Sequence, residues 1–482
     1  MQIKLLESSR DNYFKKLFKG VFWHSFASIG TKFFPFILTI IMTRYLTLIE
    51  FGELSFMLAM YTSLMPITDI GLTQSLQKFV YEYDNKDYVV ITSFFLRIFI
   101  SIVIGIVCIV ADFIFRAFHG FSYIVFVMLL FASFQIPISG LNAKLQFKKA
   151  SLLSFGLGLG SILLTILFLY FGLRVTSIAW GQALSFFLIG IVAFKISLKA
   201  FGVPPLDSLI NMGVKFSKFG FFVMLTTTIN ALIPQVGIFA LTWLGHPVQA
   251  GMFRIATTVA SPIIILGSII ILPLQPILAE INKDNKEKLV YFFQNLIDKL
   301  NMLLIPTLCI GLIISDNLII VIAGTKFSGA TLVFKWILFS NIFYIYFYII
   351  QAVPLILNEV KLIAVASIST LFIIIFLNTL LTNYFQLIGA GISILISNLF
   401  SCLVMCYYLV SRLKFKINFK KSLYYFFSTI IVCLIILVMT HYIFSNSLRL
   451  VQLAISIIIS IIVYPLLIIN KKKIYLLGNK LT

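Results

Sequence analysis

Residues 89–111 read VVITSFFLRIFISIVIGIVCIVA, an apolar run interrupted by one charge, Arg97. A helix rises about 1.5 Å per residue, so a run of this length just crosses a hydrocarbon core of about 30 Å. Comparable runs recur from end to end. Hydrophobic residues make up 61% of the 482-residue chain and charged residues 11%. The pattern predicts an all-α polytopic membrane protein with about fourteen transmembrane helices. They fall near 21–43, 54–76, 89–111, 121–141, 151–171, 177–194, 219–243, 252–279, 290–314, 331–357, 362–382, 387–411, 422–443 and 450–469.

Outward from that run, charge fixes orientation. Of 37 Lys and Arg residues, placing the N-terminus in the cytoplasm assigns 27 to inner segments and five to outer ones: Arg44, Arg116, Arg174, Lys326 and Arg449. Shifting the count by one span destroys this asymmetry, which is the positive-inside signature, with both termini cytoplasmic. The formal charge of +21 then reflects orientation and attraction to anionic lipid heads, with no need for a nucleic-acid partner. The remaining cations, Lys32, Arg97, Arg254, Lys299 and Lys335, lie inside predicted spans, with Asp69 and Asp298 at similar depth. A charge in hydrocarbon costs about 2.5–3.5 kcal/mol on insertion scales, so each needs a wet cavity or a partner. Lys299, Asp298 and Lys335 lie near span ends, where snorkelling accounts for them. Lys32 is mid-span and Arg254 a few residues deep. Arg97 is placed either to pair with Asp69 or to contact a substrate.

Several chemistries are excluded. There is no Walker-type phosphate loop. Gly156, Gly158 and Gly160 lie within an apolar span, where close helix packing explains them. The four histidines show no ligand spacing, so no metal site is expected, and the five cysteines all lie in spans without a disulfide framework. The first span is longer than a signal-peptide core and lacks a cleavage site, so it is expected to be retained. A membrane glycosyltransferase would need a large hydrophilic loop. The longest break, Lys195 to Lys218, instead suits a short interfacial helix linking two bundles.

That linker divides the chain. The reading is an N-terminal lobe at 1–197 (spans one to six), a linker at 198–218, a C-terminal lobe at 219–411 (spans seven to twelve), and an accessory span pair with a basic tail at 412–482. The two lobes echo each other: Arg44, Tyr45, Leu46 then Glu50, Phe51, Gly52 close one span and open the next, as do Thr242, Trp243, Leu244, Gly245 then Ala250, Gly251. Six-helix repeats keep their orientation, so an axis along the membrane normal should relate them. Ten of thirteen prolines fall inside spans, where they permit bending.

Arg44, Leu46, Glu50, Phe51 and Gly52, followed by Asp69, Gly71, Leu72, Ser75 and Lys78, resemble the start of a polysaccharide biosynthesis protein of the O-antigen flippase (Wzx) type, within the multidrug/oligosaccharidyl-lipid/polysaccharide (MOP) exporter superfamily. Weaker matches are Gly251, Phe253 and Ala256; Gly324, Lys326, Phe327 and Ala330; and Gly389 with Gly391. The resemblance spans roughly residues 15–411. It implies two six-helix lobes in a V around a central cavity, and a C-terminal helix pair like that of the lipid II flippase. It also implies alternating-access flipping of undecaprenyl-pyrophosphate-linked oligosaccharide repeat units across the bacterial inner membrane, for O-antigen or related surface polysaccharide. Cations of the first and eighth helices contact the diphosphate in that family, and by position they match Lys32 and Arg254. Many relatives carry an acid in the seventh span, where this chain has Pro234 and Gln235.

The chemistry of the residues points the same way. A diphosphate cannot cross hydrocarbon bare, whereas two or three cations in a cavity replace its hydration with charge-assisted hydrogen bonds. Hydroxyl and amide groups (Thr31, Thr39, Thr62, Thr68, Gln74, Thr226, Thr227, Thr228, Asn230, Gln235) are available to a sugar chain, though some will bond their own backbone. Lys32, Arg254, Arg97, Asp69 and Gln235 are therefore the candidate substrate-binding residues. No cofactor is expected, and coupling to a proton, a sodium ion or the membrane potential is left open. The partners implied are the lipid-linked oligosaccharide, the bilayer, and a polysaccharide polymerase with its chain-length regulator. The competing readings are a multidrug or cation exporter of the same superfamily, which would want buried acids, and a membrane enzyme acting on the same glycolipid.

Overall fold

The computed structural model describes residues 23, 33–76, 89–144, 146–201, 220–221, 223–264, 286–357, 359–413, 419–443 and 447–478, and these contain helices and turns but no strand. In the first half the helices are α1 (Phe33–Tyr45), α2 (Leu48–Asp69), α3 (Val89–Phe115), α4 (Ser122–Ala143), α5 (Phe147–Tyr170) and α6 (Ser177–Phe201). The second half carries α7 (Val223–Trp243), α8 (247–264), α9 (Lys286–Ile313) and α10 (Ala330–Leu355). A helical stretch at Val360–Leu413 is broken at Gln386 (φ 47°, ψ −121°), giving α11 (360–385) and α12 (387–413). α13 (Phe419–Val438) and α14 (Arg449–Gly478) follow. With Lys361–Arg412 taken as one, ten helices among the described residues are long and apolar enough to cross a membrane, and Phe33–Tyr45 and Arg449–Pro465 are shorter apolar helices. The chain forms two compact units, Met1–Gln235 and Val236–Thr482. The linker read at 198–218 lies outside the described residues beyond Phe201.

α3 shows why these helices need lipid. Phe94, Arg97, Ser101, Gly105 and Cys108 recur at helical spacing and are buried, whereas Phe95, Phe99, Val107 and Phe113 are exposed. Small and polar residues thus face the protein and the largest apolar ones face outward, the reverse of a water-soluble helix. In water that surface would be an aggregation liability; in hydrocarbon it carries no penalty.

Local signals set the helix ends. Thr47 Oγ1 accepts from Glu50 N–H and the Glu50 carboxylate accepts from Thr47 N–H, a capping box that starts α2 and contributes about 1 kcal/mol. α2 stops where Ile70 (φ 42°) and Gly71 (φ 65°) turn left-handed. Close packing accounts for Gly158 in the glycine-rich run: a Cβ there would lie 2.0 Å from the Phe34 ring, so the glycine lets α1 meet α5.

In the first unit α5 lies along α6, and α4 packs on α2, α3 and α6 around Leu72, Val90, Phe94, Ile136 and Leu141. In the second, α10 lies along the α11–α12 stretch around Phe293, Leu304, Ile345 and Met405. α13 packs on α9 and on α14, with Ile310, Val432, Cys433, Ile436 and Tyr464 forming a separate core.

Candidate functional site

Arg97 is the largest fully buried side chain among the described residues. Its side chain is 1% exposed, and Nη1 lies 3.1 Å from Asp69 Oδ1, with Asp69 14% exposed. Asp69 also receives the backbone N–H of Thr73 at 3.2 Å and its hydroxyl at 2.8 Å, so three donors converge on one carboxylate. Arg97 Nε and Nη2 have no hydrogen-bond partner among the described residues. Tyr61, 6% exposed, lies close enough to feel the guanidinium charge. Geometry of this kind keeps Asp69 occupied, because removing either partner leaves an uncompensated buried charge.

Of the sequence-selected residues, the structure brings Arg97 and Asp69 together as an ion pair. Arg254 sits in the second turn of α8, half-buried, and its carbonyl accepts from Thr257 at 2.8 Å. Its neighbour Phe253 is 1% exposed and packs against Gly237 of α7, where a Cβ would lie 2.7 Å from the ring. That packing fixes the α8 register from which Arg254 projects. Gln235 closes the 3-10 turn Ile233–Gln235 within α7 and is half-buried. Lys32 and Thr31 lie outside the described residues.

The set of wall hydroxyls is smaller than the sequence suggests. Thr39, Thr62, Thr68, Thr226 and Thr227 all donate to backbone carbonyls three or four residues earlier in their own helices. Gln74 and Asn230 are exposed, and the buried Thr228 hydroxyl has no hydrogen-bond partner among the described residues. These three remain the most available polar groups of the set.

Some polar groups escape a reading of the sequence. Asp298 takes Lys421 of α13 at 2.7 Å. One turn on, Asn301 Nδ2 donates to Ser422 Oγ at 2.8 Å, while the Tyr346 hydroxyl donates to Asn301 Oδ1. Near the other end of the pair, Asn317 donates to Gln452 of α14 at 3.1 Å. The i, i+3 spacing of Asp298 and Asn301 on one face of α9 is the available signal. Lys335 lies 3.9 Å from Asp316, both substantially exposed, so that contact is weak. Thus among the described residues both membrane-depth acids, Asp69 and Asp298, are matched by cations, and no group of three or more potential metal ligands occurs.

No curated protein matches the sequence. Among solved structures, the lipid II flippase MurJ in an inward closed conformation superposes with a TM-score of 0.73 at 15% identity, covering 93% of this chain and 99% of that one. An inward-facing multidrug resistance MATE family transporter of the MOP superfamily gives 0.61 at 15% identity over 82% of this chain and 98% of that one. A point mutant of the Vibrio cholerae MATE transporter VcmN gives 0.56 at 14% identity over 85% and 100%. The fold is therefore the one these flippase and MATE transporter structures share. The profile of the family described as polysaccharide biosynthesis protein matches residues 17–282, more than half of the sequence, and the chain belongs to that family.

Proposed function

We propose that the chain flips undecaprenyl-pyrophosphate-linked oligosaccharide repeat units from the cytoplasmic to the periplasmic leaflet of the bacterial inner membrane by alternating access, for O-antigen or a related surface polysaccharide. The observation that carries this reading is the commitment of the deep acid Asp69 to Arg97. A cationic drug needs a carboxylate free to receive it, and Asp69 already holds Arg97 and Thr73. An anionic headgroup instead needs cations, which Lys32 and Arg254 supply. Arg grips phosphate oxygens through a planar fork and Lys acts as a mobile point charge.

Membership in a family described as polysaccharide biosynthesis protein supports a substrate drawn from polysaccharide assembly, and a flippase for lipid II shares the fold. Energetics favour the direction: with the cell interior negative, moving an anion outward is downhill by about 2.3 kcal/mol per charge per 100 mV. Gln235 and its neighbour Pro234 offer no carboxylate in α7, and the membrane potential drives an anion outward without one. Deletion of the gene tests the reading. Lipid-linked repeat unit accumulating on the cytoplasmic leaflet supports it, and lost synthesis of that lipid would point to an enzyme.

A further inference from the structure

Each half is fastened internally at a matching place. α2 begins at Leu48, and its third residue, Glu50, receives Arg174 from the connection between α5 and α6. The contact is two-pronged, with Nη2 to Oε2 and Nε to Oε1 both at 2.8 Å. α8 begins at residue 247, and its third residue, Gln249, donates Nε2–H to Oε1 of Gln386, the residue between α11 and α12. Each contact is internal to its own unit. With Gly52 set against Gly251 of the echo between the halves, Phe51 falls on Ala250 and Glu50 on Gln249. In both, the start of the second helix grips the joint between the fifth and the sixth.

The chemistry differs while the link persists: an ion pair in one half, an amide pair in the other. Backbone geometry is committed to it as well. Gln386 has φ 47° and ψ −121°, a region that a side-chain-bearing residue holds only where its surroundings enforce it. Glu50 serves twice, since the same carboxylate closes the capping box on Thr47.

We propose that Glu50–Arg174 and Gln249–Gln386 are equivalent clasps that stay shut through the conformational cycle. The end of each half where its second helix meets its fifth and sixth is then one rigid piece, and bending is confined to the rest of each helix. The inference requires only that the protein changes conformation, and it stands apart from the identity of the substrate.

Spin labels beside the clasps, leaving the clasp residues intact, test it in the full-length protein in lipid nanodiscs. Ile49→Cys with Leu173→Cys, and Leu244→Cys with Phe385→Cys, use exposed positions in a background where the five native cysteines are alanine. Each pair is expected to give one narrow distance distribution, and adding Arg174→Ala should broaden the first while leaving the second unchanged. Two populations with the clasps intact, or no broadening on Arg174→Ala, would overturn the proposal. A second arm keeps the native cysteines. Gln249→Glu with Gln386→Arg should export surface glycan at the unaltered level, because an ion pair already fills this role in the other half. Gln249→Glu with Gln386→Glu, which opposes like charges, should lose roughly twofold or more. Equal export by the two variants would overturn the proposal. If deletion of the gene leaves the glycan intact, the substrate reading fails while the distance measurements still decide the clasps.

Discussion

Arg97 Nη1 and Asp69 Oδ1 meet at 3.1 Å, with the arginine 1% exposed and the aspartate 14% exposed. The asymmetry in burial ranks the two partners. Breaking a buried pair from one side costs about 3–5 kcal/mol, because the remaining charge has lost its compensation. Asp69→Ala strands the deeper charge and should lower the unfolding temperature in detergent more than Arg97→Ala. The double variant should recover part of the loss. Strict additivity of the two single effects would show that the residues act independently.

Lys32→Gln and Arg254→Gln are each expected to cut surface-glycan export while membrane abundance stays unchanged, since each removes one charge-assisted contact to the headgroup. A contact of that kind is worth about 1.5–3 kcal/mol, so losses of roughly ten- to a hundredfold in flipping rate are expected. Quantitative immunoblotting of membranes, alongside export, separates this effect from misfolding. Export unaffected by either change would remove both residues from the site.

Gly158→Ala places a Cβ 2.0 Å from the Phe34 ring in a packed contact between α1 and α5. Overpacking of this kind costs about 1–3 kcal/mol. Thermal unfolding should register the loss, and Phe34→Leu in the same chain should restore part of it. No loss in the single variant would mean that the two helices separate freely.

Asn301→Leu removes the group that links the Tyr346 hydroxyl to Ser422. Both former partners are then left unsatisfied in a low-dielectric setting, at about 1–3 kcal/mol each. α13 should become easier to cleave by protease at its basic N-terminal end, relative to the remainder of the chain. An unchanged digestion pattern would place the anchoring of α13 in its apolar core alone.

What is legible in the sequence follows from the physics of each feature. Residues 89–111 announce a span because hydropathy depends only on composition, and α3 covers Val89–Phe115. The family is legible from the Arg44 to Gly52 segment and the Asp69 to Ser75 segment, because the capping box at Thr47 and Glu50 and the left-handed Ile70–Gly71 turn need particular residues at fixed places. Gly158 carries its meaning in the same way, since only a glycine lets Phe34 so close. The partner of Asp298 is not legible in the sequence because Lys421 stands 123 residues away, and hydropathy says nothing of which distant helices adjoin. Which threonines bond their own backbone is not legible for a related reason. In hydrocarbon a hydroxyl bonds the nearest carbonyl, as Thr62 and Thr227 do, and composition alone does not distinguish such a group from one facing a cavity.

In the proposed mechanism deep cations receive an anionic lipid-linked saccharide. The most direct measurement is the leaflet distribution of the diphosphate-linked repeat unit in vesicles from a deletion strain, carrying either the unaltered gene or the Lys32→Gln, Arg254→Gln double variant. Transfer to the periplasmic leaflet is expected with the unaltered chain, and retention on the cytoplasmic leaflet with the variant. Equal transfer by both would contradict it.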